Sequence, residues 1–216
     1  MMTNSFLAES EIERMATRLL ARYESRYGPI DCPPVPVESI LEDILDLSIL
    51  WDTVPEKPGQ SILAGLDPNN RTVVFNETRL ALIDETPGLY NTVLAHEAGH
   101  WEAHVDPALL DQSALPQFER EFGCLYRQSG PGGDPKERQA HQFMGFLLLP
   151  SHLLREAIRD VDLLSWPNLY ALRDLFQVTI TALTVRLARL NLLYISEDKG
   201  LYPSRLVYDG QMPLAL

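Results

Sequence analysis

Two histidines and a glutamate stand at a spacing that suits metal-dependent hydrolysis. They belong to the run His96-Glu97-Ala98-Gly99-His100. Residues four apart on a helix lie one turn above each other, with about 6 Å between their Cβ atoms, so both imidazoles can reach one metal ion. The Glu97 carboxylate then lies beside them, where it can accept a proton from metal-bound water and pass it to a leaving amine. The pattern predicts a zinc hydrolase that cleaves peptide bonds.

The residues around this motif predict the helix that it requires. Thr86-Pro87 resembles an N-cap followed by a proline in the first turn, and Asp106-Pro107 is typical of a helix end, which together bracket about eighteen residues. The segment also has an apolar side, formed by Leu89, Val93, Leu94 and Trp101. Because the chain has only 5 histidines in 216 residues, a chance pair at this spacing is a poor explanation.

A catalytic zinc ion needs a third protein ligand and an open position for water. The downstream residues that can coordinate a metal include His104, Asp106, Glu119, Glu121, Glu137, His141 and His152. His104 is excluded because, on a straight helix, it lies about 12 Å along the axis from the first histidine. The third ligand must therefore come from a second element.

Glu137 has two interpretations that the residue pattern alone leaves open. It precedes Ala140 and Met144 on the apolar stripe of a predicted helix, so its carboxylate would face the core, and a bound metal would justify that burial. Alternatively, Asp134 and Glu137 have the spacing of a capping box, with Asp134 as the N-cap.

Two motifs together resemble the ImmA/IrrE family of metallopeptidases. One is His96 to Trp101, which matches H-E-x-G-H-W. The other runs from Glu137-Arg138-Gln139-Ala140 to Pro150 and is similar to E-x-Q-A-N/D-x-F-A-x-x-L-L-M-P. The resemblance spans about residues 33–190 by the order of elements.

Membership of that family would imply a zincin-like, minimal gluzincin fold with His96, His100 and Glu137 as zinc ligands and Glu97 as the catalytic residue. One Zn²⁺ per chain is expected, with Mn²⁺ as the alternative. The implied substrate is a helix-turn-helix repressor that controls a mobile element or a stress response, so that the peptidase acts as an anti-repressor in transcription regulation.

The chain departs from the family pattern at two positions. His141 replaces the family's Asn or Asp, and Met144 replaces a small residue. Neither change removes a ligand. His141 is one turn beyond Glu137, so it is a candidate second-shell partner, oxyanion donor or alternative ligand, and we rank the second-shell role first. A core histidine with satisfied hydrogen bonds is the remaining alternative.

The order of predicted elements indicates an α+β fold. Residues 48–51, 61–66 and 71–76 are β-prone, with a turn at 67–70 between the last two, and predict a small antiparallel sheet before the active-site helix. An edge strand of such a sheet could hold an extended peptide beside the metal. We expect a metallopeptidase-like domain over residues 1–150.

A helical, helix-turn-helix-like region over residues 151–216 is expected to pack on that domain. Residues 168–176 and 180–190 predict two helices, with Thr179 capping the second, and their apolar positions include Leu172, Leu175, Phe176, Leu183 and Leu187. Residues 192–196 and 205–208 suggest a terminal hairpin. The five arginines and four acids of residues 151–191 are too balanced for a phosphate-binding face, which argues against direct DNA binding.

Composition narrows the classes of partner and the cellular compartment that we expect for this protein. The net charge of −12 disfavours nucleic acid as a partner of the whole molecule. No apolar run approaches a membrane span, and the start lacks the features of a signal sequence, so we expect a cytoplasmic protein without membrane contact. Cys32 and Cys124 predict buried packing and no disulfide.

The alternative function is a non-catalytic, metal-stabilised regulator or toxin-antitoxin-type partner that binds a repressor or DNA.

Overall fold

A computed structural model describes residues 7–56, 61–106, 110 and 134–210. The α+β class expected from the sequence is confirmed, since the chain forms many helices and one small sheet, and a two-stranded ribbon follows near the C-terminal end. The helices are α1 (Glu9–Tyr27), α2 (Val37–Ser39, continued by a π-helical turn at Ile40–Ile44), α3 (Leu80–Glu85, after a 3-10 turn at Glu77–Arg79), α4 (Leu89–His104), α5 (Pro135–Leu148), α6 (Ser151–Ala157), α7 (Trp166–Phe176), α8 (Ile180–Arg189) and α9 (Arg205–Tyr208). The strands are β1 (Ser48–Asp52), β2 (Ala64–Asp67), β3 (Thr72–Asn76), β4 (Tyr194–Ile195) and β5 (Leu201–Tyr202).

The three-stranded sheet is mixed, so the expected purely antiparallel arrangement is wrong. Its order is β1-β3-β2, with β1 parallel to β3 and β2 antiparallel to β3. The end of β1 and the start of β2 lie at the same end of the sheet, next to Asn76 and Phe75 respectively. After the turn at residues 67–70, β3 inserts between the two earlier strands, so it pairs directly with β1, to which it runs parallel.

One hydrophobic core joins the sheet, the long helices and the C-terminal helical pair. Leu19 of α1, Val93 of α4, Leu147 of α5 and Phe176 of α7 are all fully buried in it. Helix α5 packs against both α1 and α4. The core therefore fixes α4 and α5 side by side, and these two helices carry the motif residues.

The C-terminal region corrects two expectations. Leu175 was expected in the core but is 46% exposed, although the other four apolar positions named with it are buried. The terminal hairpin pairs β4 with β5, and Arg205–Tyr208 forms helix α9 because the Ser204 side chain accepts a hydrogen bond from the Val207 amide and caps it. Thr179 caps α8 as expected, by accepting from the Ala182 amide.

The remaining expectations concern the two cysteines, the segment 117–126 and membrane-spanning helices. Cys32 is exposed, so its expected burial is wrong, and Cys124 lies outside the described residues. The weak helix pattern at residues 117–126 also lies outside them. Among the described helices, none combines the length and the apolar character that crossing a bilayer requires.

Candidate metal centre

Helix α4 carries His96, Glu97 and His100 and begins later than its sequence pattern suggests. The expected N-cap, Thr86, lies outside the helix. The Leu89 amide donates to the Thr86 carbonyl at 3.0 Å, which forms a turn, and Gly88 takes the N-cap position with φ of 74°. The apolar positions expected to be buried are buried, but so is every residue from Thr92 to Gly99. Burial of the polar residues His96 and Glu97 in this stretch is costly unless hydrogen bonds, opposite charges or a metal ion compensate for it.

Helix α5 presents Glu137 to α4. Asp134 caps α5 as expected, because its side chain accepts a hydrogen bond from the Lys136 amide. Glu137 does not complete a capping box with Asp134, because its carboxylate points to His96 and His100. The two helices cross closely because Gly99 has no side chain to separate them.

The three side chains converge on one point. The two Nε2 atoms of His96 and His100 are 3.0 Å apart, and each lies 3.3 Å from one oxygen of the Glu137 carboxylate. A tetrahedral zinc ion with ligand atoms at about 2.0–2.1 Å would hold those atoms about 3.3 Å apart. The Glu137 Oε2 atom is buried and lacks a hydrogen-bond partner. This group could hold a metal ion.

The electrostatics of the group favour an unprotonated His96 and an ionised Glu137. Burial lowers the pKa of His96 to about 4, which leaves a neutral imidazole with a free lone pair. Burial acts to raise the pKa of Glu137, but the neighbouring side chains of His100 and His96 outweigh it and hold that pKa well below the usual range. A neutral histidine and an ionised carboxylate are the forms that bind a metal.

Glu97 lies beside this group and has a separate environment. Its side chain is buried, and its Oε1 atom has no hydrogen-bond partner. Burial raises the pKa of Glu97 to about 7, and the charge of Glu137 adds to that effect, while His100 and the Leu66 backbone act against it. A carboxyl group with such a pKa can exchange a proton near neutral pH.

The other candidate residues lie outside this group. The His141 ring is 4.5 Å from the His96 ring between centroids, so it is a neighbour of the histidine pair. The His104 Nε2 atom faces the Lys136 carbonyl at 3.2 Å. Asp106 and His152 are exposed, and the remaining two candidates, Glu119 and Glu121, fall outside the described residues.

The sequence predicted an edge strand beside the metal, but it did not identify which residue of that strand reaches Glu97. The backbone of Leu66 in β2 contacts the Glu97 carboxyl, so an outer edge of the sheet lies at the site. The β-prone pattern predicted the strand, but nothing in it distinguishes Leu66 from its neighbours.

Comparisons of the chain with protein-family models and with curated proteins find no match. The resemblance to metallopeptidases therefore rests on the two sequence motifs.

Proposed function

We propose that the chain is a zinc-dependent endopeptidase that makes limited cuts in a protein substrate. The observation that carries the proposal is the convergence of His96, His100 and Glu137 beside the buried carboxyl of Glu97. Two imidazoles and one carboxylate form the ligand set of an open catalytic zinc site, whereas structural zinc sites have four protein ligands. Manganese is the alternative metal.

The residues of the chain supply the proton transfers of this reaction. A zinc ion held by the three ligands would lower the pKa of water to about 7 and polarise the scissile carbonyl. Glu97 accepts a proton from the attacking water and donates it to the amine nitrogen as the C–N bond breaks. We assign His141 to orienting His96, or to donating a hydrogen bond to the oxygen on which negative charge develops.

The substrate assignment depends on the motif resemblance. It points to a helix-turn-helix repressor of a mobile element or a stress response, cleaved in the cytoplasm. The contact between the Leu66 backbone and Glu97 supports a peptide substrate, because an extended chain that runs beside β2 would pass the carboxyl. Direct DNA binding is not part of the proposal.

The replacement Glu97→Gln tests the proposal. The amide keeps the size of the side chain but cannot accept a proton, so hydrolysis should fall by about 10⁴-fold while folding and zinc content persist. Wild type, Glu97→Gln and the exposed control Glu85→Gln would each be loaded with zinc and incubated with a repressor-like protein encoded nearby or with a proteomic peptide library. Mass spectrometry then identifies new termini.

A discrete cut made by wild type and by Glu85→Gln, but not by Glu97→Gln, would support the endopeptidase. If no preparation cleaves while all three control the repressor equally, the chain is instead a metal-stabilised regulator that acts by binding.

A further inference from the structure

Strand β1 forms an edge of the three-stranded sheet, and no strand of the described residues pairs with its outer side. The Ser48 amide donates to the Arg71 carbonyl at 2.8 Å, which directs the backbone groups of Ser48 toward β3. Since successive residues of a strand alternate in direction, Ile49 and Trp51 direct their amides and carbonyls away from the sheet. The outer side of β1 therefore offers hydrogen-bonding groups to an additional strand.

The same strand exposes large apolar side chains. Leu50 is 55% exposed and Trp51 is 39% exposed. Edge strands are usually protected from pairing by lysine, proline or a bulge, but β1 contains neither of those residues and pairs with β3 in an unbroken register. Trp51 is held in place by stacking on Phe75, with 4.8 Å between ring centroids, so little side-chain entropy is lost when a partner contacts it.

Acidic side chains surround the end of β1 that contains Trp51. The carboxylates are those of Glu38, Glu42, Asp52 and Glu77. Glu77 accepts a hydrogen bond from the Thr53 hydroxyl directly after the strand. Glu38 and Glu42 lie close to Tyr90, whose ring is parallel to that of Trp51 at 6.5 Å. Within the described residues, none of the four forms a salt bridge with a cationic side chain.

We propose that the edge of β1 binds an extended, lysine- or arginine-containing segment of a partner protein, which adds to the sheet as a further strand. The outward backbone groups of Ile49 and Trp51 pair with the segment, and its cations contact the carboxylates and the exposed face of Trp51. This surface is separate from the metal centre, and its function does not depend on catalysis.

Charge selects this occupant over a second copy of the chain. A second copy would bring the same four carboxylates to the interface, and none of them forms a salt bridge with a cationic side chain of the described residues. The net charge of −12 likewise repels nucleic acid. A basic segment has the opposite charge, so each of its cations is attracted to the carboxylates at this edge.

Three labelled peptides of about ten residues test the proposal in titrations of the intact protein followed by fluorescence anisotropy. The first alternates lysine and valine. The second has the same sequence with N-methyl groups on alternate amides, which blocks strand pairing without changing the charge. The third has glutamate in place of lysine. We expect the first to bind, the second to bind at least about tenfold more weakly, and the third not to bind.

Charge-reversed variants identify the binding surface. Asp52→Lys/Glu77→Lys should weaken binding of the lysine-valine peptide by at least about tenfold. The control Asp160→Lys/Glu197→Lys changes the net charge equally at exposed positions after α6 and in the β4–β5 turn, outside the sheet, and should bind nearly as wild type does. Trp51→Ala should also weaken binding, and thermal melting establishes that each variant is folded.

Equal binding of the plain and N-methylated peptides by wild type would overturn the proposal, even if every variant failed to fold. If the two charge-reversed variants lost affinity for the lysine-valine peptide equally, the overall charge alone would explain the binding. This result would also overturn the proposal. Light scattering on the purified protein should show a monomer, whereas a dimer that Trp51→Ala disrupts would make a second copy the occupant.

Discussion

Gly99 of α4 lies so close to Ala140 of α5 that a Cβ atom on the glycine would be 3.0 Å from both the Cα and the carbonyl oxygen of Ala140. That separation is too short for the backbone of α5 to remain where it is. His100 follows Gly99 directly, and Glu137 lies on α5 one turn before Ala140. The absence of a side chain at Gly99 therefore allows α5 to bring Glu137 to the histidine pair.

Gly99→Ala should separate α4 from α5 and pull Glu137 away from the two imidazoles. We expect zinc affinity to fall by about 10 to 100-fold, as for other changes that misplace a ligand, and the metal-free protein to lose about 1–3 kcal/mol of stability through overpacking. Chelator competition and thermal denaturation measure these effects. The control is Gly145→Ala on α5, where the new Cβ has no neighbour within 4 Å. Zinc affinity should not change in this variant. Wild-type affinity in Gly99→Ala would contradict this role.

The purified protein should hold about one zinc ion per chain, which a chelator removes. His96→Ala and His100→Ala should abolish binding, and Glu137→Gln should weaken it strongly. His141→Ala should cost only about 10 to 100-fold, because that ring neighbours the ligands without belonging to the group. Plasma emission spectroscopy after gel filtration measures the zinc content, with the exposed His152→Ala as control. Full zinc in Glu137→Gln and none in His141→Ala would reverse the ligand assignment.

Zinc binding should weaken as the pH falls below neutral. Burial acts to lower the pKa of His100, but the Glu137 hydrogen bond and the charge of Glu97 raise it above its usual 6.5. A proton on His100 thus competes with the metal in that range, and binding should release more protons per zinc ion near pH 6.5 than at higher pH. Calorimetry in buffers of different ionisation enthalpy counts the protons. Proton release that does not vary with pH would contradict this explanation.

A second close contact fixes the start of α4. A Cβ atom on Gly88 would lie 2.2 Å from the carbonyl carbon of Val178, in the connection between α7 and α8. The Thr179 amide also donates to the Thr92 hydroxyl at 3.1 Å. The helix-turn-helix-like pair therefore packs, through its turn, on the first residues of the helix that carries the histidines.

Gly88→Ala should consequently lower the free energy of unfolding by more than the strain of its positive φ alone predicts. Gly28→Ala is the control without a clash, because Gly28 also has a positive φ, of 95°, yet a Cβ there would have no neighbour within 4 Å. The control should cost about 1–3 kcal/mol, because this φ combined with a ψ of 171° is a backbone conformation essentially restricted to glycine. Gly88→Ala should cost about 1–3 kcal/mol more because of the added clash. Urea unfolding of both variants measures the difference, and equal costs would show that the contact with Val178 is unimportant.

The local features of the site follow from the amino-acid sequence alone. The spacing of His96 and His100 places them on one face of any helix, whatever surrounds it. The Asp134 cap and the Thr179 cap follow equally from nearby residues, since each side chain bonds a backbone amide two or three positions away. For the same reason, the existence of most helices and strands could be predicted.

How those local elements meet depends on packing between distant parts of the chain. The sequence pattern allowed Glu137 to be either a cap or a ligand, and the choice depended on a close approach of α4 and α5 that rests on Gly99. Insertion of β3 between β1 and β2 could not be predicted either, because strand order is set by contacts between residues far apart in the chain. The elevated pKa of Glu97 likewise arises from burial by several elements together. Spacing along the chain identifies groups that share a helix face, but only packing determines which groups from different elements share a site.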